Sequence, residues 1–445
     1  MSLNEILGLI MLLSMISVIF IGYPVSFTLL FIALVFGSFG VGVERTFNLA
    51  YLQIWGSMKD DILPAVPLFI FMGYMTEQAG MMKRLFEAIR QIFAPVPGSL
   101  YLAVLFTATL FAMATGIVGA AVSVLGIMAG PMMVKAGYDA KLSAGAIAAG
   151  GTLGILIPPS IMLVVMGPVL GVPVNQLYGA AMGPGFLLAG SYMAYCLVRS
   201  IINPKLGPPL PKEERLGSIR KLAYEFVVGI VPLLVLIGAT LGTILMGLAT
   251  STEAAACGAF GATLLALCYR KLSLKTLKSA AISTLLTTSM ILILVVASNV
   301  FGAVFTQLGA STFIANSVAN VPLPDMAKLV LIMGIIFLLG WPFEWPVIVL
   351  VFVPIFLPIV ESLDLGLSKM ELLLWFGATV AVNLQTAFLS PPVAMSAFYL
   401  KRVMPSWDLS LIFRGMGQFM VIQVVVLLAL LAFPSIALWL PRLLQ

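Results

Sequence analysis

The sequence contains no histidine, only three cysteines and few charged residues, and each shortage excludes a class of protein. Cys196, Cys257 and Cys268 lack a CxxC spacing, so without histidine the usual ligand sets for zinc and haem cannot be assembled. Only 9% of the 445 residues are charged, whereas 61% are hydrophobic, which lies far outside the composition of soluble domains. The chain is therefore predicted to be an all-α integral membrane protein.

The apolar residues form long runs. Runs of about 20 residues, enough to cross a bilayer core of about 30 Å, recur from near Leu7 to Leu440. No long polar stretch separates them, so the membrane domain occupies the whole chain. The first run follows "MSLNE", which lacks the basic segment of a signal peptide and precedes no A-x-A-like cleavage site. We therefore expect a retained first span.

Basic residues are concentrated in one set of loops, which carries 18 of the 23 Lys and Arg residues. By the positive-inside rule these loops are cytoplasmic, and both termini are then periplasmic. The cytoplasmic loops lie at residues 83–90, 135–141, 199–221, 270–278 and 401–414.

This topology requires residues 98–134 and 324–360 each to enter and leave the membrane on one side. The first segment has short apolar arms around "ATGIVGA" and would enter from the cytoplasm; the second has arms around "GWPFEWP" and would enter from outside. If either were an ordinary span, every later basic loop would change sides. The charge pattern therefore predicts two re-entrant hairpins.

Each hairpin is followed by a loop, an apolar helix and a break that contains two prolines. The breaks are "GTLGILIPPS", with Pro158-Pro159, and "NLQTAFLSPPVA", with Pro391-Pro392. A single Pro-Pro pair would favour a simple kink. Interrupted segments in matching positions of two halves, however, are typical of inverted-repeat secondary transporters.

The predicted organisation is a first inverted repeat at 1–205, a cytoplasmic linker at 206–221 and a second inverted repeat at 222–445. The first repeat holds hairpin 98–134 and a broken helix at 141–173. The second holds hairpin 324–360, a broken helix at 370–400 and the final span.

The breaks predict ion binding, because unwinding a helix at membrane depth leaves backbone groups that a bound cation can satisfy. Hydroxyl and amide oxygens are ligands that hard cations prefer. A proton relay usually needs titratable residues at depth, which are scarce here, so we expect Na⁺ as the coupling ion and no other cofactor. The expected first site comprises Thr115, Gly116, Gly119, Gly151, Thr152, Gly154 and Pro158, and the second Gly340, Trp341, Glu344, Asn383, Gln385, Thr386, Ser390 and Pro391.

Several of these features have alternative interpretations. Glu344 could bind an ion, cap a half-helix or sit in water at the mouth of the hairpin. For Glu253, in "TSTEAAACGAF", a capping role at a helix start is preferred to a role at depth. The amphipathic stretch "MMKRLFEAIRQIFAPVPG" is expected to lie flat at the cytoplasmic surface, either as an arm between fixed and mobile parts or as a plain linker helix. The tryptophans Trp55, Trp407 and Trp439 are expected to be interfacial anchors.

Taken together, six segments resemble the large membrane subunit of tripartite ATP-independent periplasmic (TRAP) transporters, the DctM type. They occur in family order over nearly the whole chain: "VPLFIFMGYM", "ATGIVGAAVSVLGIMAGPMM", "GGTLGILIPPSIMLVVMG", "TSTEAAACGAF", "VPIFLPIVESLDL" and "NLQTAFLSPPVAMSAFYL". The resemblance implies an elevator-type Na⁺ symporter of the bacterial or archaeal cytoplasmic membrane. It also implies two partners, a small four-helix membrane subunit and a soluble periplasmic substrate-binding protein.

The sequence departs from the family pattern at two points. The family often has an aspartate after the second hairpin turn, where this chain has "PFEWP", so Glu344 is expected to take that role. The family often has "TPPVG" at the second break, where this chain has "SPPVA". The "NLQTAFLSPP" form resembles the branch associated with 2-oxo acids, 2-hydroxy acids and related monocarboxylates.

The sequence also bears on two other functions. A self-sufficient ion-coupled carrier of organic anions would share the inverted-repeat design, and neighbouring genes for the two partners would argue against it. A membrane-embedded enzyme is disfavoured, since the chain contains neither HExxH nor a histidine base, and GxxxxGK[ST] is also absent.

Overall fold

The computed structural model describes residues 2–211, 213, 215, 219–319, 321–391 and 394–444, and over these residues its regular structure is entirely helical. Helices of the first half are α1 (Leu3–Ile21), α2 (Val25–Gly40), α3 (Val43–Met58), α4 (Ala65–Gln78), α5 (Met81–Ile92), α6 (Ser99–Thr115), α7 (Val118–Lys135), α8 (Ala140–Thr152), α9 (Ile161–Leu170) and α10 (Val174–Ile202). Helices of the second half are α11 (Ile219–Ile237), α12 (Thr243–Leu245), α13 (Ser251–Cys268), α14 (Leu274–Gln307), α15 (Ala310–Ala319), α16 (Asp325–Leu339), α17 (Trp345–Val347), α18 (Val353–Glu361), α19 (Lys369–Gln385), α20 (Met395–Val403), α21 (Leu409–Ala432) and α22 (Ser435–Leu443).

Short irregular turns interrupt some of these helices. The 3₁₀ turns are Leu153–Ile155, Pro204–Leu206 and Thr386–Phe388, and the π turns are Gly238–Gly242 and Ile348–Phe352. Within the described residues, seven helical segments are long and apolar enough to cross a membrane. They are α1, α7, α10, the α11–α12 segment from Ala223 to Leu245, α13, α14 and α21.

Hairpin 1 consists of α6 and α7, and its two ends meet at one place. The Tyr138 hydroxyl, just beyond α7, accepts a hydrogen bond from the N–H of Leu100 at the start of α6 (3.2 Å) and lies 3.2 Å from the Ser99 hydroxyl. The same Tyr138 hydroxyl donates to the carbonyl of Pro208 (2.8 Å), and the N–H of Gly98 donates to Gly207 (2.8 Å). Both ends of the hairpin are thus tied to the segment between the halves, which confirms the first predicted hairpin.

Hairpin 2 consists of α16, α17 and α18, and its ends also meet. The N–H of Asp364, after α18, donates to the carboxylate of Asp325 at the start of α16 (2.9 Å). The ammonium of Lys328 lies 3.2 Å from the same carboxylate. The Asp364 hydrogen bond, and secondarily Lys328, lower the pKa of Asp325. The second predicted hairpin is therefore confirmed as well.

Both broken helices occur where the sequence predicts them. The first runs as α8 and α9, and the second as α19 and α20, each with a 3₁₀ turn at the end of its first part. The assignment of residues 1–205 and 222–445 to repeats related by inversion stays a prediction. Of the predicted linker, Lys212, Glu214 and residues 216–218 lie outside the described residues.

Helix α5 has the amphipathic character that the sequence predicts. Its apolar face, including Leu85, Phe86 and Ile89, is buried against α6 and α11, and its last turn carries Arg90. The guanidinium of Arg84 lies 4.5 Å from the ring centroid of Tyr269, which follows α13. The helix thus joins hairpin 1 to helices of the second half.

The structure shows the surroundings of Glu253 and of the three tryptophans predicted to be anchors. Glu253 belongs to a capping box at the start of α13, in which its carboxylate accepts a hydrogen bond from the N–H of Thr250 (2.8 Å). The capping role preferred from the sequence is therefore confirmed. Trp407, predicted to be an interfacial anchor, is instead only 5% exposed, because it packs in the loop after α20, where its carbonyl accepts from Lys401 (2.9 Å). Trp55 and Trp439 are 46% and 47% exposed, as anchors should be.

Candidate functional site

The tip of hairpin 1 is a tight turn buried inside the protein. Helix α6 ends at Thr115, and Gly116 follows with a φ of 62°, a left-handed conformation that favours glycine. The carbonyl oxygen of Thr115 packs against α4, since a Cβ atom added at Gly73 would lie 2.8 Å from it. Thr115 is 3% exposed, so the tip is enclosed by neighbouring helices.

The first break lies directly against this tip. A Cβ atom added at Gly154, in the 3₁₀ turn, would lie 3.7 Å from the carbonyl carbon of Gly116. One added at Gly151 would lie 2.9 Å from the backbone nitrogen of Val122 on α7. Glycine therefore lets the two backbones approach each other closely, and Pro158 follows in the buried segment before α9.

The hydroxyl groups of the first site already donate their protons. Thr115 donates to the carbonyl of Phe111 (3.1 Å), and Thr152 donates to Ala149 (2.8 Å). Their oxygen lone pairs are left to accept, which is the state in which a hydroxyl can bind a cation. The structure thus brings Thr115, Gly116, Gly151, Thr152 and Gly154 to one junction.

Gly119, also predicted to belong to the first site, contacts the second broken helix. It lies in the first turn of α7 and faces α20, where its added Cβ atom would meet the ring of Tyr399 at 2.9 Å. This glycine therefore lets hairpin 1 pack closely against the second broken helix, and its part in the first site stays a prediction.

At the second break, hairpin 2 again meets an unwound helix. A Cβ atom added at Gly340, at the end of α16, would lie 3.1 Å from the Cβ of Ala387 in the 3₁₀ turn. The Asn383 amide donates to the carbonyl of Met333 on α16 (2.7 Å), and the Thr386 hydroxyl donates to the carbonyl of Asn383 (2.7 Å). Hairpin 2 and the second broken helix are therefore joined by the Asn383–Met333 hydrogen bond as well as by packing.

Several polar atoms at the second break are buried and lack a hydrogen-bond partner among the described residues. The residues involved are at most 2% exposed. Leaving such a group unsatisfied costs about 1–3 kcal/mol, so each is a candidate for contact with an ion or water. These atoms are Oδ1 of Asn383, Oε1 and Nε2 of Gln385, Oγ of Ser390 and Oγ of Ser396.

Glu344 and Trp341 lie on the other side of the hairpin 2 tip and are both exposed. Glu344 lines a cavity of about 390 Å³ between the tip, the turn from α1 to α2, and α14. The cavity is otherwise mostly apolar, and neither Asn383 nor Gln385 lines it. The predicted second site is thus divided between a buried amide-rich part and a carboxylate that faces α1, α2 and α14.

Pro391 lies exposed in the turn after Ser390, and Pro392 lies outside the described residues. Ser396 and Tyr399, on the helix that follows the same break, are not among the residues predicted from the sequence. Their position in "SPPVAMSAFYL", within two turns after the prolines, was the available signal.

Comparison with known proteins identifies relatives over the full length. The family described as "Tripartite ATP-independent periplasmic transporter, DctM component" matches residues 12–436. The sialic acid TRAP transporter large permease protein SiaM of Vibrio cholerae is 28% identical, over 96% of each chain. The C4-dicarboxylate TRAP transporter large permease protein DctM of Pseudomonas aeruginosa is 29% identical, over 88% of each chain. In structure, the YdaH transporter of Alcanivorax borkumensis has a similar fold, with a TM-score of 0.60 and 14% identity over 88% of each chain.

Proposed function

Because this chain belongs to the DctM family of tripartite ATP-independent periplasmic transporters, we propose that it carries a small organic acid anion into the cell together with Na⁺. As a family member it is a multi-pass transport subunit of the bacterial inner membrane, and its relatives are named as permeases rather than as enzymes. The coupling ion, the transported acid and the mechanism belong to the proposal.

The observation that carries the proposal is the set of buried oxygens at the second break. Asn383 Oδ1, Gln385 Oε1 and Ser390 Oγ have no hydrogen-bond partner among the described residues, although all three residues are buried. Oxygen atoms of this kind are ligands for a hard cation, and a bound Na⁺ would offset their desolvation. At the first break, the lone pairs of Thr115 and Thr152 give a second, similar group of oxygens.

An anionic substrate finds support in the placement of half-helices. Gly119 on α7 packs against Tyr399 on α20, and Gly126 packs against Val403, so α7 and α20 run side by side in the same direction. Their N-termini therefore lie at the same level, next to the two breaks. The positive ends of helix dipoles favour an anionic group there.

An elevator motion is proposed because the hairpins and breaks pack as one body. The tip of hairpin 1 contacts Gly154 of the first break, and Gly340 of hairpin 2 contacts Ala387 of the second. Helices α1, α2, α4 and α14 form a second group, in which α4 packs against the tip of hairpin 1, and α1, α2 and α14 border the cavity at the tip of hairpin 2. In this scheme the body that contains Gly154 and Gln385 moves relative to α4 and α14. Helix α5 connects the two groups.

The proposed partners are a small four-helix membrane subunit and a periplasmic substrate-binding protein, as the tripartite family implies. The binding protein would select the acid, for which a 2-oxo or 2-hydroxy acid is the proposed class. Both termini are proposed to be periplasmic.

Uptake by proteoliposomes that contain all three components tests this function. We expect accumulation of the acid to require an inward Na⁺ gradient and the binding protein. Undiminished uptake after replacement of Na⁺ by choline, at constant pH, would overturn Na⁺ coupling.

The alternative function is a self-sufficient organic anion carrier. The same assay separates the two, because a self-sufficient carrier would accumulate acid in liposomes that contain this chain alone.

A further inference from the structure

Helix α3 stands out because most of its surface is uncovered, although it lies between apolar helices α2 and α4. Of its 16 residues only Thr46 and Ala50 are buried. It is absent from the helices apolar enough to span a membrane. Neither the transport of ions nor the transport of substrate explains why this helix is present.

One side of α3 is fixed to the protein. A Cβ atom added at Gly37 of α2 would meet the Thr46 side chain at 2.7 Å and Val304 of α14 at 3.1 Å. Eleven residues further along α3, the Ser57 hydroxyl accepts a hydrogen bond from the Asn299 amide of α14 (2.9 Å). The outer face of α3 therefore cannot turn inward.

These two contacts also give the direction of α3. Between Thr46 and Ser57 the helix advances about 16 Å, whereas Val304 and Asn299 are about 7 Å apart along α14. Helix α3 thus crosses the spanning helix α14 obliquely. The two contacts lie three and eight residues before Gln307, where α14 ends. Because α14 is longer than a bilayer core is thick, at least one of its ends reaches beyond that core.

The exposed side of α3 is divided into an apolar arc and a polar edge. With about 100° between successive residues, six exposed apolar side chains fall within about 120° of the helix circumference, and a seventh, Leu52 (61% exposed), lies about 60° beyond them. Of the exposed charged and amide residues, Glu44 in the first turn lies within this arc, whereas Arg45 and Asn48 lie beyond it. The arc consists of Val43 (61% exposed), Phe47 (56%), Tyr51 (62%), Ile54 (37%), Trp55 (46%) and Met58 (72%).

The aromatic residues of the arc form an ordered row. Tyr51 and Trp55 stack with an interplanar angle of 9° and a centroid distance of 6.4 Å. The ammonium of Lys59 lies 4.8 Å from the ring of Trp55. Tyrosine and tryptophan, with apolar rings and a polar group, prefer the boundary between lipid headgroups and acyl chains, and lysine reaches from there to the headgroups.

We propose that α3 is an interfacial anchor whose apolar arc lies in the headgroup–acyl boundary of the lipid bilayer, at the end of α14 marked by Gln307. The lipid surface is favoured over a protein partner because the arc carries interfacial residue types, with Lys59 beside Trp55, on a helix that is fixed to the spanning helix α14. Such an anchor holds α2 and α14 at a fixed depth while other helices move.

Spin labels on α3 test the proposal in the full-length protein reconstituted into phosphatidylcholine bilayers. Labels are attached to single cysteines at Met58→Cys or Phe47→Cys in the arc, and at Asn48→Cys on the polar edge as a matched control. Exposed Cys257 and Cys268 are first replaced by serine. We expect several-fold greater collision with oxygen, relative to a water-soluble nickel chelate, at positions 47 and 58 than at position 48.

Two results would overturn the proposal. Equal, high accessibility to the nickel chelate at all three positions would place α3 in water. Protection of positions 47 and 58 from both reagents, appearing only when the small membrane subunit is present, would show that a protein covers the arc. Either outcome leaves the Na⁺-dependent uptake assay unaffected, so the proposed transport function is tested separately.

Discussion

Gly154 of the first break and Gly116 at the tip of hairpin 1 face each other, with a Cβ atom at Gly154 placed 3.7 Å from the carbonyl carbon of Gly116. That distance is an ordinary van der Waals contact, so the junction has room for one methyl group at this point. Gly151, about one turn earlier on the same segment, has no such room, because an added Cβ atom would lie 2.9 Å from the backbone nitrogen of Val122.

The two glycines therefore predict opposite results for the same substitution. Gly151→Ala would place its methyl group 2.9 Å from the Val122 backbone nitrogen, and such overpacking costs about 1–3 kcal/mol. We expect Gly151→Ala to lower the thermal unfolding temperature in detergent and to reduce uptake, while Gly154→Ala retains both. Equal tolerance of both substitutions would show that α7 and α8 do not pack as described.

Ala394, which precedes α20, has a φ of 30° and a ψ of 54°, a left-handed conformation that costs a non-glycine residue about 1–2 kcal/mol. It stands where the family often has glycine. Ala394→Gly is expected to raise the unfolding temperature despite the greater flexibility of glycine in the unfolded chain. Ala397→Gly, in the interior of α20, is the control and should lower the unfolding temperature. A decrease of similar size in both variants would contradict the left-handed conformation of Ala394.

The polar atoms of the second break predict stabilisation by Na⁺. A ligand that binds only the folded state at 100 times its Kd stabilises it by about 2.7 kcal/mol. In thermal unfolding with NaCl or choline chloride, Gln385→Met and Ser390→Ala should reduce the difference between the two salts.

A matched control is available for that experiment. Gln423 on α21 is fully buried, like Gln385, but lies outside both breaks. Gln423→Met should leave the difference between NaCl and choline chloride unchanged. If Gln385→Met and Gln423→Met behave alike, the second break does not hold the ion.

Topology is checked by thiol labelling in intact cells. Lys205 and Asp364 are both exposed, and the charge distribution places them on opposite sides of the membrane. With Cys257 and Cys268 replaced by serine, Lys205→Cys should be protected from a membrane-impermeant maleimide, and Asp364→Cys should be labelled. The reverse pattern would invert the proposed orientation.

The sequence predicted the hairpins and breaks well because charge and backbone chemistry specify them locally. The basic loops required residues 98–134 and 324–360 to return to their own side, and the Pro-Pro pairs placed both unwound segments. Such signals do not depend on which helices become neighbours.

Contacts between distant segments could not be predicted in this way. The face of Gly119 is decided by Tyr399, and the burial of Trp407 is decided by the fold of the loop that contains it. Glu344 is predicted to share a site with Gln385 because a hairpin tip and a break are expected to form one pocket, yet its position at the tip directs it toward a cavity beside α1 and α14. Side-chain direction at a turn depends on tertiary packing, which no single-sequence pattern records.

The packing of α7 against α20 has a consequence for biosynthesis. Gly130 lies against Met404 of the opposite half, with an added Cβ atom 2.6 Å from the Met404 sulfur. Because about 270 residues separate them and ribosomes add about 5–20 residues per second, hairpin 1 must wait roughly 15–50 seconds for the helix that covers it. During that interval its small-residue face is open to lipid or to the insertion machinery, so the newly made chain depends on temporary protection that the finished protein no longer needs.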